Sequence, residues 1–340
     1  MEKRYRVCTV QSHVVSGYCG NKAATFPMQL LGFDVDILNT VEFSNHTGFP
    51  VFTGKRTPPE EIKTLIDGLN KNGLTKAWTH VLTGYIGLPE TLSIIKNAVE
   101  SLKEQKPDLI WVCDPVMGDN GQLYVPEAVI PLYRSMIGVA DLITPNLFEA
   151  EIITDIKITS LATAKQAMAK MHYLGCPNVL ITSMSLPAKD IPNGLIAEDN
   201  IMYCMGSTLL PGNAGVLKQP TQFLISFPRY SGYFTGTGDV LAAVLTARYQ
   251  HALDAPASHT SETPLLTATL AAIKTLNAII KRTFDYQQIH VSPKEIFQIN
   301  SPDRLSRPAS AVHRCELHII QSKDAIDTPP DTSLVQYALV

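Results

Sequence analysis

Gly236-Thr237-Gly238-Asp239 runs straight into Val240-Leu241-Ala242-Ala243-Val244-Leu245, a strong helix former, which puts the tetrapeptide at a helix N-terminus. Successive backbone N–H groups at such a terminus form an anion hole, and glycines let a phosphate approach the backbone closely. Asp239 beside that phosphate is poised to accept the proton of an attacking hydroxyl while the N–H groups stabilise charge on the transferred phosphoryl group. An ordinary glycine turn with Asp239 as a capping acid gives the same four residues, so the segment alone does not decide between them.

Two acidic loops point the same way. After the apolar run Leu109–Cys113 comes Asp114-Pro115-Val116-Met117-Gly118-Asp119, and after Leu142-Ile143 comes Thr144-Pro145-Asn146-Leu147-Phe148-Glu149. In an open parallel sheet, ligands bind at the carboxyl ends of the strands, so both loops fall on one rim. Carboxylates gathered without surplus Lys or Arg repel one another unless a hard cation neutralises them, as magnesium does with a substrate phosphate. The pattern predicts a metal-nucleotide site. Taken singly, Asp119 also reads as a turn residue, and Glu149 as an acid favoured at a helix start.

Other nucleotide signatures are missing. Gly48 to Gly54-Lys55-Arg56 has one residue too many for a P-loop and lacks the closing Ser or Thr. Leu241 stands where a dinucleotide fingerprint needs its third glycine.

Short apolar runs alternating with segments of helical period position these loops, and predict an α/β fold: a mostly parallel central sheet with helices on both faces. The strand candidates are Arg6–Gln11, Phe33–Leu38, His80–Thr83, Leu109–Cys113, Leu142–Ile143 and Val179–Thr182. Thr57-Pro58-Pro59-Glu60 reads as a helix start, with Thr57 as cap and Glu60 reaching back to it. A buried stripe of Ile62, Leu65, Ile66 and Leu69 follows; Leu92, Ile95, Val99 and Leu102 make a second, and Ala164, Ala167, Met168 and Met171 a third. Two more helices are expected after Gly238, one beginning at Asp239 and one from about Pro264 to Phe284. With no repeat, low-complexity tract or linker, residues 1–340 read as one domain. Residues 184–234 read as a loop-rich region near the nucleotide, the uncharged run Asn200 to Leu217 as a mobile loop. Residues 285–331 read as a peripheral excursion before a final strand near Leu317–Gln321.

The 340 residues are 45% hydrophobic and 17% charged, enough for a large core. A net charge of −3 and a pI near 6.3 offer no footprint for nucleic acid or an anionic membrane, so a small molecule is the expected partner. Six scattered cysteines, without C-x-x-C pairing, fit reduced cytoplasmic thiols better than zinc or disulfides. Met1 to Val7 lacks the pattern of a secretory signal.

Two further segments complete the set: Gln11-Ser12-His13-Val14-Val15-Ser16-Gly17-Tyr18-Cys19-Gly20-Asn21, then Phe43-Ser44-Asn45-His46-Thr47-Gly48. With Thr83-Gly84-Tyr85, both acidic loops and the Gly236–Asp239 segment in this order, the chain resembles the pyridoxal kinases of the ribokinase-like superfamily from about Val7 to Val340. The first two segments resemble that family's substrate side, which the sugar kinases of the superfamily lack.

The resemblance implies phosphorylation of the hydroxymethyl group of pyridoxal and its close relatives by ATP. Ser12, Thr47 and Tyr85 would line the vitamer pocket, with His46 and the Gly17–Gly20 turn close by and Asp239 as base. Asp119 and Glu149 would hold magnesium directly or through water, Asp114 and Thr144 would help site a monovalent cation, K+ or Na+, and Asn146, Thr182 and Ser183 would touch the nucleotide phosphates beside Tyr124. A homodimer is also implied. Gly87 departs from the pattern, since several relatives carry a basic residue two positions after the tyrosine, and Met184 to Phe234 matches only loosely. A sister kinase acting on hydroxymethylpyrimidine, or a non-catalytic protein that binds pyridoxal phosphate, are the alternatives.

Overall fold

All six expected strands lie side by side in the computed structural model, which describes residues 3–209, 219–255 and 262–340. The strands are β1 (Tyr5–Val14), β2 (Phe33–Phe43), β3 (Gly54–Arg56), β4 (His80–Thr83), β5 (Ile110–Cys113), β6 (Gly118–Asp119), β7 (Gln122–Leu123), β8 (Leu142–Ile143), β9 (Asn178–Met184), β10 (Ile201–Thr208), β11 (Thr221–Pro228) and β12 (Gln336–Leu339). One sheet runs in the order β12-β11-β10-β9-β8-β5-β4-β1-β2-β3, and β6 and β7 pair separately. From β2 to β9 neighbours are parallel; β3 at one edge, and β10, β11 and β12 at the other, run antiparallel.

The central strands are apolar on both sides because both faces are covered. Leu82, Val112, Leu142 and Leu180 from four adjacent strands enter one buried cluster, while Val81, Trp111, Ile143 and Ile181 enter the other. Burial of each such aliphatic side chain contributes about 1.5–3 kcal/mol.

The helices are α1 (Asn21–Leu30), α2 (Pro59–Lys71), α3 (Pro89–Gln105), α4 (Ile130–Met136), α5 (Leu147–Thr154), α6 (Leu161–Tyr173), α7 (Thr237–Asp254), α8 (Pro264–His290), α9 (Pro293–Ile299), α10 (Ala309–Arg314) and α11 (Lys323–Asp327). Residues of α2 to α6 pack on one face, and those of α1, α7, α8 and α11 on the other.

Several local expectations need correction. Pro58, with ψ 144°, takes the N-cap of α2, so Thr57 lies one residue outside and donates its hydroxyl to Asn39 O instead. Leu65, at the margin of its stripe, is half exposed. The region 184–234 expected to be loop-rich holds two eight-residue strands, β10 and β11, and β10 falls inside the run Asn200 to Leu217 expected as a mobile loop; positions 210–218 lie outside the described residues. Leu317–Gln321 is not a strand: Leu317 and Ile319 are buried, His318 N–H donates to Thr283 Oγ1 on α8, and a 3-10 turn follows at Ile320–Ser322. The last strand is β12, which extends β11. The stretch expected to be peripheral carries α9 and α10, whose small cluster of Val291, Ile299, Val312 and Cys315 packs on Phe49 and Tyr233.

Candidate active site

Helix α7 starts at the carboxyl rim of the parallel strands. Its N-cap, Gly236, has φ +85°, and a Cβ there would stand 2.3 Å from the Tyr18 carbonyl oxygen, so only glycine fits. Gly238 is different: it is exposed, and an added Cβ would find Asp114 Oδ2 at 3.9 Å as its nearest atom. Space is therefore left in front of the first N–H groups of α7, which have no partners within the helix. Asp239, partly buried in that first turn, accepts the Gly20 N–H on Oδ2 at 2.7 Å. Burial pushes its carboxyl up to about 6, against the pull of the Gly20 hydrogen bond.

On the acidic side, Asp114 is buried, and Thr144 donates its hydroxyl to Asp114 Oδ1 at 3.2 Å. Burial, then the charges of Glu149 and Asp239, hold Asp114 well above the usual carboxylate range. Glu149 closes a capping box with Asn146, the N-cap of α5, and Asn146 Nδ2 reaches across to Gly118 O at 2.8 Å. Glu149 Oε1 accepts the Met117 and Gly118 N–H groups at 2.8 and 3.4 Å, and Oε2 that of Asn146 at 2.9 Å. Burial pushes Glu149 up to about 7, and these N–H groups limit the rise. In all three acids hydrogen bonds do the offsetting, with no cationic side chain among the causes. Such a set fits a metal cation.

Asp119 is exposed, and among the described residues its carboxylate is bonded only to Asn120, so it stays accessible to a ligand. Among the described residues no three acidic, histidine or cysteine groups are arranged to hold a metal by themselves. Tyr124 lies half exposed beside this loop, its phenol pushed up to about 12 by burial and then by Asp119 and Glu149. Thr182 and Ser183, partly buried, end the parallel run on β9, with Thr182 N–H bonded to Pro145 O.

The residues expected on the substrate side lie at the ends of β1, β2 and β4. A register shift falls between Gln11 and Ser12 within β1, and Gly20, at φ +54°, packs so closely that a Cβ would meet Ser12 O at 2.0 Å. Tyr85 packs on Val14, Cys19, Val41 and Phe43, and its carbonyl accepts the Thr40 hydroxyl at 2.8 Å. Gly87 is buried against the Tyr85 phenol, whose oxygen would be 2.6 Å from an added Cβ. His46 is buried and Thr47 exposed.

The C-terminal stretch contributes residues that sequence reasoning missed. Arg307 Nη1 donates to Gly48 O at 3.1 Å, Tyr233 closes on Gly48, and Glu316 Oε2 accepts the Tyr18 N–H at 3.1 Å. No local spacing announces them; an acid or arginine amid polar, proline-rich chain carries no motif.

Comparison with known proteins decides the family. A family model described as phosphomethylpyrimidine kinase matches residues 77–283. The pyridoxal kinase of Arabidopsis thaliana is 39% identical over 312 residues, covering 89% of this chain and 92% of the relative. The chain belongs to the pyridoxal kinase family. The Homo sapiens pyridoxal kinase is 35% identical over 334 residues, with 97% of both chains covered. Among solved structures, pyridoxal kinase from Leishmania donovani in complex with ADP and pyridoxamine superposes with a TM-score of 0.78 at 34% identity, covering 98% of this chain and 99% of that one. The same protein has also been solved with ADP and pyridoxine. The ribokinase-like sheet expected from sequence is thus the sheet of this family. No helix among the described residues is long and apolar enough to cross a membrane.

Proposed function

We propose that the chain transfers the γ-phosphoryl group of ATP to the hydroxymethyl oxygen of pyridoxal, pyridoxine and pyridoxamine. The hydrogen bond from Gly20 to Asp239 carries this reading, because it joins the substrate-side turn to an acid in the first turn of α7. Asp239 takes the hydroxymethyl proton as oxygen attacks in line, and the N–H groups around Gly236, Thr237 and Gly238 stabilise the charge on the phosphoryl oxygens. Ser12, Gly20, His46, Thr47 and Tyr85 orient the vitamer. Asn146, Thr182, Ser183 and Tyr124 border the nucleotide phosphates.

Asp119 and Glu149 are the residues that would hold magnesium, Glu149 through water because its oxygens already serve three N–H groups. Asp114 and Thr144 would hold a monovalent cation, K+ or Na+. When bound, these cations supply charge neutralisation for the phosphates. We take residues 1–340 as one kinase domain, because the sheet spans β1 to β12, and the enzyme as a cytoplasmic homodimer, on the family resemblance and six free cysteines.

The family model bears the name of a pyrimidine kinase, which keeps hydroxymethylpyrimidine as a second substrate to test; it starts after the segments at Gln11–Asn21 and Phe43–Gly48. The purified protein, incubated with ATP and magnesium, is expected to convert pyridoxal to pyridoxal phosphate and to leave a hydroxymethylpyrimidine control unreacted. Product only from the pyrimidine would move it to the sister activity, and product from neither would favour a non-catalytic binding protein.

A further inference from the structure

Glu316 stands where two substrate-side loops meet. Its Oε2 accepts the Tyr18 N–H at 3.1 Å across 298 residues of chain, and its Oε1 lies 3.3 Å from His46 Nε2. His46 Nδ1 accepts the Gly48 N–H at 3.1 Å, so the ring proton of the neutral imidazole sits on Nε2, the nitrogen that faces Glu316. A Cβ at Gly17 would be 2.3 Å from Oε1, so the turn is wrapped directly on the carboxylate. Within the described residues Oε1 is buried without a hydrogen-bond partner, so His46 Nε2 at 3.3 Å is its polar neighbour rather than a formed hydrogen bond.

The turn held in this way does two things at the site. Its Gly20 N–H binds Asp239, and its Tyr18 carbonyl backs Gly236 at the mouth of the anion hole. One carboxylate near the end of the chain thus reaches, through Gly17 to Gly20, both the base and the phosphate-binding turn.

We propose that Glu316 is a positioning residue for phosphoryl transfer, fixing the Gly17–Gly20 turn against the His46 loop so that the vitamer hydroxyl meets Asp239. The inference rests on Asp239 being the base. A residue that merely anchored the C-terminal stretch would affect folding and both substrates alike. A positioning residue acts on the vitamer.

Glu316→Gln is nearly isosteric, keeps an acceptor for the Tyr18 N–H, and turns an NH2 group toward the His46 N–H, donor against donor. In the full chain, with pyridoxal and ATP varied separately, kcat/KM for pyridoxal should fall about tenfold, the size of replacing a favourable polar contact by two opposed donors. The KM for ATP and the Tm should stay near those of the parent. Unchanged kcat/KM for pyridoxal overturns the proposal, as does a matching rise in the KM for ATP or a Tm far below the parent. Asp239→Asn, assayed alongside, separates the two readings: full turnover there removes the base, whereas a pyridoxal-selective loss only at Glu316 keeps the loop contact and discards its link to Asp239.

Discussion

Gly20 and Asp239 are joined by a 2.7 Å hydrogen bond across 219 residues of chain. The bond engages Oδ2, so in the proposed mechanism Oδ1 is the oxygen that takes the proton of the attacking hydroxyl. It also favours the ionised form, offsetting part of the burial that still leaves the carboxyl raised to about 6.

Asp239→Asn should therefore lower turnover by about 10²–10⁴ while pyridoxal and ATP still bind by calorimetry. A base must be ionised, so kcat/KM for pyridoxal should decline as pH falls through about 6 and level off above it. The residual rate of the Asn variant should lose that inflection, and wild-type turnover in the variant would end the assignment.

Gly236→Ala and Gly238→Ala should separate fold from catalysis. At Gly236 the methyl group meets the Tyr18 carbonyl at a positive φ, so the melt should show a loss of about 1–3 kcal/mol. Gly238 has room for a methyl group, so its variant should melt like the parent and yet raise the KM for ATP by narrowing the approach to the N–H groups. Equal melts and equal kinetics for the two would contradict the anion-hole geometry.

Asp119→Ala should shift the magnesium titration to higher concentration and leave the Tm unchanged, since its partner is only Asn120. Glu149→Ala strips the acceptor from three backbone N–H groups and breaks a capping box, so it should also destabilise by about 2–3 kcal/mol. A magnesium titration that neither variant moves would take both residues out of the metal site.

Gly87→Ala should drive the Tyr85 phenol aside, because the new methyl group would stand 2.6 Å from its oxygen. A loss of about 1 kcal/mol, roughly fivefold, is expected in the KM for pyridoxal with that for ATP unchanged. Unaltered steady-state kinetics would show that Tyr85 does not touch the vitamer.

The parallel strands were legible because burial on both faces demands uninterrupted apolar runs, and the rim loops because their acids follow those runs directly. Strand β10 was not. Gly206 looks like a break, yet it pairs with Phe223, whose ring lies where a Cβ would be, 2.0 Å from the ring carbon Cζ. The glycine is the gap that admits the aromatic. Leu317-His318-Ile319 misled in the opposite sense: its alternation mimics a strand, while its apolar residues are buried under α8. The candidate site residues announce themselves as local motifs, but Glu316 and Arg307 depend on a C-terminal stretch folding back across the N-terminal loops, which no window of local sequence records.

All six cysteines are buried, and burial raises each thiol pKa that shifts, Cys113 and Cys315 to about 12 and the others higher still. Thiolate is the reactive form, so the folded chain is a poor target for maleimides. A single cysteine introduced at exposed Val15 or Thr47 would be the one thiol a fluorophore finds, giving the loops around Gly17 and His46 an optical label without removing any native residue elsewhere.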